Sequence, residues 1–459
     1  MTNVLVRRPI LCVLIAMATL VPTIIGGTCG VKPPGGDPPA SGLTGNFVGA
    51  ARCELCHTNI HENWSQTLHA GALETLEAIG QGENPACLPC HTVGYGEEGG
   101  FVDRATTNEL AGVQCESCHQ GALEHVENVS DESLRPVISI SADVCGRCHQ
   151  DAHHPNFEQW SESGHALVTE TVAEELHEGL NADNCGQCHS GDAVYLAQIR
   201  GETITADALL GTPVEDLNAV TCAVCHNPHQ RTGNAAAPDT DRDYQLRYKE
   251  VVTPEPTNDI STITNSDRYN LCGRCHRDRG RDWTANSRGP HGSVQSNVYI
   301  GEMSMKPGQE PLVPNIRSVH RFVPEQCATC HMFRKDFESE EAPAISGHAF
   351  SVDTASCSAV GCHPNEADAI AVTAALHDEV HAALEDIKAR LGDVSTWEYS
   401  ASSYGGPPDA EQSAIPAEIR KVRFMLHYIE NDGSHGVHNP AYVRTMLSEC
   451  DRLLDSIGK

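Results

Sequence analysis

The chain has 459 residues, of which only 5% are aromatic, and its formal net charge at pH 7 is −31. So large an acidic excess argues against nucleic acid and against anionic lipid as partners. The aromatic residues are too few to fill an ordinary hydrophobic core in a chain of this length. The chain also has 21 cysteines and 25 histidines, and most of the cysteines fall into a repeated pattern with histidine.

Residues 1–28 are predicted to form an export signal. Arg7 and Arg8 precede an apolar run that extends from Ile10 to Ile25. Prolines at both edges of this run favour a cleaved signal peptide over a permanent transmembrane helix. The signal predicts a protein that acts outside the cytoplasm.

The end of this signal has two alternatives, and a spacer follows it. The stretch that ends at Cys29 resembles a lipoprotein cleavage box, in which Cys29 would become the lipidated first residue. Ala16-Met-Ala18 offers a rival peptidase site. Residues 29–46 are rich in Gly and Pro and lack apolar periodicity. We therefore expect a spacer that holds the following part clear of a membrane or cell surface.

Residues 47–363 carry the repeated motif Cys-x-x-Cys-His. It occurs eight times, and a ninth copy, from Cys357 to His363, has four residues between its cysteines. Two thiols and an adjacent imidazole at this spacing are typical of c-type haem attachment, in which the histidine becomes the proximal iron ligand. Zinc ribbons need two cysteine pairs per metal and do not explain the histidines, and a disulfide framework has no use for so many histidines. The sequence therefore predicts a nonahaem domain with nine haems c.

We number the motifs and their haems 1 to 9 in chain order. The attachment cysteines are Cys53 and Cys56, Cys87 and Cys90, Cys115 and Cys118, Cys145 and Cys148, Cys185 and Cys188, Cys222 and Cys225, Cys272 and Cys275, Cys327 and Cys330, and Cys357 and Cys362. The proximal histidines are His57, His91, His119, His149, His189, His226, His276, His331 and His363. Cys12, Cys29 and Cys450 remain, and the apolar surroundings of Cys450 favour a buried thiol over a disulfide with Cys29.

The other histidines are numerous enough to give every iron a second axial imidazole. The distal candidates are His69, His125, His154, His165, His229, His291, His320, His348 and His438. Which haem each of them serves is open at this point. His377 and His381 lie one turn apart on a predicted helix, where a haem or metal role and a solvated helix face are both open.

Two further patterns concern the organisation of the chain. Cys53–Ala70 and Cys145–Ala166 share Trp-Ser-x-(Thr/Ser)-x-His-Ala after the haem motif, which indicates an internal repeat. Residues 364–459 have apolar residues at helical spacing, and Asn439-Pro440 is typical of a helix start. We expect this region to be helical and to pack on the haem core.

The chain resembles the multihaem cytochrome c superfamily that contains cytochrome c554, pentahaem nitrite reductase and octahaem hydroxylamine oxidoreductase. Cys53–His69 and Cys115–His125 look like cytochrome c554 modules. The segment from Gly436 to Pro440 is similar to the tails of the larger enzymes, in which its histidine reaches back to a haem. The resemblance implies a mainly α fold with extensive irregular loops, in which a core built around stacked haems is followed by a C-terminal helical tail.

The function has two main alternatives. Nitrite and tetrathionate reductases of this superfamily mark their catalytic haem with a lysine in place of the proximal histidine, and no Cys-x-x-Cys-Lys occurs here. Because two axial imidazoles leave no open position for a substrate, the surplus of histidines favours electron transfer along mostly bis-histidine haems in respiratory metabolism. The alternative is an oxidoreductase that acts on nitrite, hydroxylamine or tetrathionate at one open-site haem.

For the enzyme alternative, Arg274, Arg277 and Arg281 lie around motif 7, with Tyr299 further on. Pairing with haem propionates is the more ordinary role for such arginines. A structural role in a filament of subunits is a third hypothesis, although nothing in the sequence specifies a polymer.

The expected partners are redox proteins or quinol-linked donors, other multihaem cytochromes and, in the lipoprotein alternative, a membrane reached through Cys29. Haem attachment of this kind takes place outside the cytoplasm in bacteria, which agrees with the export signal. The expected location is the periplasm or the outer face of a bacterial membrane. The acidic surface would keep the protein dissolved or steer a cationic redox partner.

Overall fold

The structure is a computed structural model, and it describes residues 46–232, 243–247, 271–303, 309–323, 326–359 and 361–459. The predicted export signal, the predicted lipid anchor Cys29 and the predicted spacer, apart from its last residue, lie outside these residues. All 25 histidines lie within them, as do both cysteines of every haem motif. No helix in the described part of the chain combines the length and apolar character needed to cross a bilayer.

Helices and irregular loops form the described residues, where the β-structure is limited to isolated bridges. The α-helices are α1 (Ala50–Trp64), α2 (Ala72–Ala78), α3 (Leu88–His91), α4 (Cys115–His119), α5 (Leu123–Glu127), α6 (Ala142–Gly146), α7 (Asn156–Ser161), α8 (Glu170–His177), α9 (Gly186–His189), α10 (Gly191–Val194), α11 (Cys222–Cys225), α12 (Gln295–Ile300), α13 (Cys327–His331), α14 (Ala355–Ala359), α15 (Glu366–Leu391), α16 (Ala417–Asp432) and α17 (Pro440–Ser456). Shorter helical turns include Gly164–Ala166, Tyr195–Ile199 and Val319–Phe322. The mainly α fold class predicted from the sequence is confirmed.

Several of the shortest helices coincide with haem motifs. Helices α3, α4, α9, α11 and α13 each begin at or next to the first cysteine of a motif and end at or just before its histidine. One helical turn places residues i and i+3 on the same face, so it presents both cysteines of a motif to the same side. Helices of a single turn are not stable alone in water, and these therefore depend on the contacts around them.

Apolar packing is unevenly distributed along the chain. The described part of the haem-motif region has three small buried clusters, one around Leu73 and Leu110, one around Leu176 and Ala193, and the pair Tyr299 and Ile300. The largest cluster instead joins α15, α16 and α17 with residues of α12. The sparse packing between motifs agrees with a region in which cofactors supply much of the buried volume.

The three C-terminal helices form as the spacing of their apolar residues predicts. Leu376, Val380 and Ile387 lie on the buried face of α15, and Asn365 caps this helix by accepting from the Asp368 amide at 2.9 Å. Asn439 caps α17, with proline at the first position. Cys450 is fully buried in the same cluster, as predicted for an inert thiol, while its alternative partner Cys29 lies outside the described residues.

The C-terminal helices also contact the haem-motif region through polar groups. The side-chain amide of Asn439 donates to the carbonyls of Val298 (3.1 Å) and Ile316 (2.6 Å). The Ser318 hydroxyl donates to the carbonyl of His438 at 2.7 Å. Buried hydrogen bonds of this kind are costly to break, so they fix the loop between α16 and α17 against the segment that precedes motif 8.

Candidate haem-binding site

Six pairs of imidazoles face each other in the structure, and each pair joins a motif histidine to a predicted distal histidine. The distances between ring centroids are 6.0 to 6.2 Å. The pairs are His149 with His69, His119 with His229, His276 with His165, His189 with His291, His226 with His348, and His331 with His438.

This separation suits two axial ligands of one metal. A metal–imidazole bond is about 2 Å long and the ring centroid lies about 1 Å beyond the nitrogen, so two imidazoles on opposite sides of one iron have centroids roughly 6 Å apart. Directly packed rings in this protein range from 3.9 Å, for His153 and Phe337, to 6.0 Å, for His348 and Phe350, so the separation agrees with an iron and the repeated pairing of a motif histidine with a predicted distal histidine adds the stronger support. The arrangement of the six pairs therefore fits an iron between the two rings.

Three motif histidines and three distal candidates are not part of these six pairs. The motif histidines are His57, His91 and His363, and the candidates are His125, His154 and His320. His154 lies beside His149, with ring centroids 6.4 Å apart, and is close enough to His91 for their charges to interact. His320 is close enough to His363 for the same interaction. The Nδ1 of His125 is buried and has no hydrogen-bond partner among the described residues.

The Trp-Ser repeat positions the first distal histidine. The indole of Trp64 donates to the carbonyl of Val113 at 3.1 Å, and the amide of Val113 donates to the carbonyl of His69 at 2.9 Å. Val113 lies two residues before Cys115, so these bonds join the Trp-Ser segment to the start of motif 3.

The second copy of the repeat has the same bonds. The indole of Trp160 donates to the carbonyl of Val220 at 2.9 Å, and the Val220 amide donates to the carbonyl of His165 at 3.0 Å. Val220 lies two residues before Cys222 of motif 6. The sequence repeat therefore encodes the same pair of hydrogen bonds twice, and each pair fixes the backbone of a predicted distal histidine.

Hydrogen bonds at Nδ1 orient many of the imidazoles. Four motif histidines pair their Nδ1 with backbone carbonyl oxygens: His91 with Ala72 (2.8 Å), His119 with Val137 (3.0 Å), His226 with Tyr244 (2.6 Å) and His331 with Phe350 (3.0 Å). An imidazole that donates from Nδ1 has its lone pair on Nε2, which is the form that binds a metal. Distal histidines use side chains: His291 pairs with the Ser293 hydroxyl, His348 with the Ser346 hydroxyl and His438 with the Asp432 carboxylate.

Burial keeps most of these imidazoles uncharged. It lowers the pKa of four of them, those of His149, His165, His291 and His348, to about 4. A neutral imidazole is required for iron ligation, and these four are neutral at pH 7. For His438, burial is the largest effect and acts to lower the pKa, but the charge and the hydrogen bond of the adjacent Asp432 carboxylate together outweigh it and raise the pKa above its usual value.

Cysteines of different motifs meet each other. Five pairs of thiols lie close enough for one to shift the pKa of the other: Cys53 and Cys115, Cys90 and Cys148, Cys145 and Cys222, Cys188 and Cys275, and Cys272 and Cys327. Further pairs are close enough for their charges to interact: Cys118 with Cys145 and Cys148, Cys225 with Cys272 and Cys275, and Cys330 with Cys357. These contacts connect the motifs in the order 1, 3, 4, 6, 7, 8 and 9, with motif 2 beside motif 4 and motif 5 beside motif 7.

Comparisons with known sequences point to one class of protein. The family model described as cytochrome c554 and c-prime matches residues 52–120. Cytochrome c-554 of Nitrosomonas europaea is 34% identical over 88 residues, which are 16% of this chain and 37% of that protein. The C-type polyheme cytochrome OmcB of Geobacter sulfurreducens is 25% identical over 212 residues, which are 42% of this chain and 25% of OmcB.

The fold agrees with solved structures of the same class. The outer cell wall cytochrome OcwA has a TM-score of 0.59 at 19% identity, with 89% of this chain and all of OcwA (100%) covered. The chain is thus similar to multihaem cytochromes c in part of its sequence and in its fold. The undecahaem cytochrome from the S-layer of Carboxydothermus ferrireducens has a TM-score of 0.56 at 18% identity, with 91% of this chain and 70% of that chain covered. At these identities the likeness concerns the fold alone, and this chain spans at most 37% of the curated relatives named above.

Arg279, close to motif 7, is placed where it could pair with a haem propionate. One Nη of Arg279 is buried and has no hydrogen-bond partner among the described residues. Arg279 is near both His189 and His291, since its charge adds to burial in lowering the pKa of each. A propionate would pair with this guanidinium. The hydroxyl of Tyr299, named above for the enzyme alternative, donates to the backbone carbonyl of His320 at 2.8 Å.

The remaining histidines and Asp432 complete the description of the site. His177 pairs its Nδ1 with the carbonyl of Thr212 at 2.9 Å, like the motif histidines. His377 lies beside His435, with ring centroids 5.0 Å apart, whereas His381 is exposed on α15. Asp432 was missed because no motif marks a carboxylate that reaches a ligand six residues away. Only the turn between α16 and α17 places it there.

Proposed function

We propose that this cytochrome transfers electrons along a row of nine covalently bound haems, most of them ligated by two histidines. The six facing imidazole pairs are the observation that carries the proposal. When bound, each haem supplies an iron that accepts and releases one electron. Two axial imidazoles give that iron no open position for a substrate, which suits electron transfer rather than catalysis.

The facing rings suggest six distal ligands: His69 for haem 4, His229 for haem 3, His165 for haem 7, His291 for haem 5, His348 for haem 6 and His438 for haem 8. In each case the distal histidine belongs to a different part of the chain from its motif. Neighbouring segments therefore complete one another's iron sites, and the loops between motifs become cross-linked through the metal.

For the other three haems we propose His154 for haem 2, His320 for haem 9 and His125 for haem 1. Charge interactions support the first two, between His154 and His91 and between His320 and His363. His125 is the remaining candidate, and its helix α5 is joined to the start of α1. Glu116 makes that connection by accepting from the amides of Val48 (3.0 Å), Gly49 (2.9 Å) and Ala122 (2.9 Å).

The contacts between motifs support an order for the row. Haems attached to cysteines that lie close together are expected to have neighbouring edges, because each thioether lies at the porphyrin periphery. The proposed row therefore runs through haems 1, 3, 4, 6, 7, 8 and 9, with haem 2 branching at haem 4 and haem 5 at haem 7. Electrons would enter or leave at the ends of the row and at the branches.

The enzyme alternative is confined to specific positions. Haems 1, 2 and 9 are those whose motif histidines do not belong to the six facing pairs, so an open iron is expected at one of these if at all. The substrate would then be a small nitrogen or sulfur compound, as the superfamily resemblance implies.

The electron paramagnetic resonance spectrum of the oxidised protein tests the proposal. Low-spin signals alone, unchanged by nitrite or hydroxylamine, are expected for a carrier with two histidines on each iron. A high-spin ferric signal that changes with either compound would contradict the carrier and favour the enzyme alternative. Removing His125 should then leave that signal unchanged if haem 1 is the open site.

The number of haems needs its own measurement. Pyridine haemochrome analysis and the intact mass of the mature protein should both give nine haems per chain. The double variant Cys357→Ser/Cys362→Ser should have eight, whereas the single variant Cys450→Ser should keep nine because Cys450 lies in no motif. A count of eight in the unmodified protein would show that the longer ninth motif carries no haem.

We further propose that the protein is exported and works in the periplasm or on the outer face of a bacterial membrane, with redox proteins, quinol-linked donors or other multihaem cytochromes as partners. The net charge of −31 supports a cationic partner surface. Metabolic labelling with a fatty acid would test lipidation at Cys29, with Cys29→Ala as the control. Loss of label in this variant is expected if Cys29 is the anchor.

A further inference from the structure

One candidate ligand differs from the others in what orients it. The Nδ1 of His438 donates to Oδ1 of Asp432 at 2.7 Å, whereas His291 and His348 pair with serine hydroxyls at 3.1 and 3.0 Å. The motif histidine opposite it, His331, pairs with the backbone carbonyl of Phe350. His438 is thus the distal histidine, among those in facing pairs, for which the structure gives a carboxylate partner.

The carboxylate is held rigidly and kept away from water. The side chain of Asp432 has no exposed surface. Its second oxygen accepts from the hydroxyl of Ser434, and that hydroxyl accepts from the amide of His438 at 3.1 Å. Gly433, in the left-handed region at φ 69°, ends α16 and allows the chain to turn back at once. Asp432, Ser434 and His438 therefore form one closed hydrogen-bonded turn.

We propose that Asp432 lowers the reduction potential of the haem bound by His331 and His438. This inference rests on the proposed electron-transfer function. A carboxylate that accepts the Nδ1 proton makes the imidazole a more basic ligand, and its negative charge lies close to the iron in a region of weak screening. Both effects favour the oxidised iron, which carries one more positive charge than the reduced iron. Haem 8 would then be a low-potential step between haem 7 and haem 9.

The variant Asp432→Asn tests the proposal, because asparagine has nearly the same shape and keeps an oxygen that accepts from Nδ1. We expect the ratio of reduced to oxidised haem 8 at a fixed potential to rise about tenfold, which is a shift of 59 mV for a one-electron couple. Spectroelectrochemical titration of the visible α-band would show it as a shift of one haem equivalent out of nine.

Two further variants control for structural effects. Ser434→Ala removes the hydroxyl that donates to the Asp432 carboxylate. It should therefore lower the reduction potential of haem 8 or leave that potential unchanged. Ser346→Ala removes the neutral hydrogen-bond partner of His348. It should change the ratio of reduced to oxidised haem 6, at a fixed potential, less than threefold. In a Cys327→Ser/Cys330→Ser background, which lacks haem 8, Asp432→Asn should have no effect on the remaining haems.

Electron paramagnetic resonance separates an electronic role from a positional one. All haems of Asp432→Asn should stay low-spin. A titration that superimposes on that of the unmodified protein would overturn the proposal, and so would a new high-spin signal, since Asp432 would then only hold His438 in place. If Asp432→Asn does not fold, an upward shift in Ser434→Ala would overturn it. Failure of the electron-transfer function would appear differently, as open irons in the unmodified protein.

Discussion

Removal of His69 gives the sharpest test of how the axial ligands are paired. The ring of His69 faces that of His149, 6.0 Å away, although the nearest motif in sequence is that of His57. His69→Ala should therefore open the iron of haem 4 and leave haem 1 unchanged. The backbone should stay in place, because the carbonyl at position 69 still accepts from the amide of Val113 at 2.9 Å.

The expected size of the effect follows from the number of haems. One haem in nine, or about 11% of the iron, should change from low-spin to high-spin, with the full number of haems still attached through cysteine. Free imidazole at millimolar concentration should enter the vacated space and restore the low-spin state. The matched control is His61→Ala, since His61 packs on Trp64 and Glu54 and belongs to none of the facing pairs.

A background that lacks haem 4 makes the assignment decisive. In Cys145→Ser/Cys148→Ser, adding His69→Ala should produce no new high-spin iron. If a high-spin signal still appears there, His69 ligates another haem and the reasoning from facing rings is refuted. An unchanged spectrum in the single variant would refute it equally.

Three predictions concern the stability of the parts that position the haems, each measured by denaturant unfolding followed by far-ultraviolet circular dichroism. Arg423 is fully buried and donates to three oxygens at 2.8 to 3.1 Å, and two of these hydrogen bonds are buried. Arg423→Met should therefore cost about 2–4 kcal/mol of unfolding free energy, and Arg423→Lys should restore little of it. An unchanged midpoint for Arg423→Met would contradict this account. Gly301 has φ 70°, and an added Cβ would clash with the carbonyl of Ile316, so Gly301→Ala should cost more than about 3 kcal/mol of unfolding free energy. The control Gly211→Ala, at φ 79° in open space, should cost about 1 kcal/mol. Equal losses would show that the clash is relieved. Glu116 is 4% exposed and accepts from three backbone amides, so Glu116→Gln should cost about 1–3 kcal/mol of unfolding free energy. A stabilised variant would show that these hydrogen bonds do not stabilise the fold.

Much of this protein could be predicted from local spacing in the sequence. Two cysteines and a histidine within one helical turn define a haem attachment site wherever that turn lies in the fold, because all the reacting groups are in the same short segment. The C-terminal helices were predictable for a similar reason, since Leu376, Val380 and Ile387 mark one helix face by their spacing alone. The Trp-Ser repeat places His69 and His165 at equivalent positions, and both have the same backbone hydrogen bond.

Other features depend on segments that only the folded chain brings together. His69 faces His149, and His438 faces His331, because loops from different modules pack side by side; spacing along the chain says nothing of this. The carboxylate of Asp432 reaches His438 through the turn after α16, which is set by the packing of α16 and α17. The sequence therefore determined what each module can bind. The tertiary structure decided which histidines meet and which charge lies behind them, because an axial pair requires two imidazoles on opposite sides of one iron.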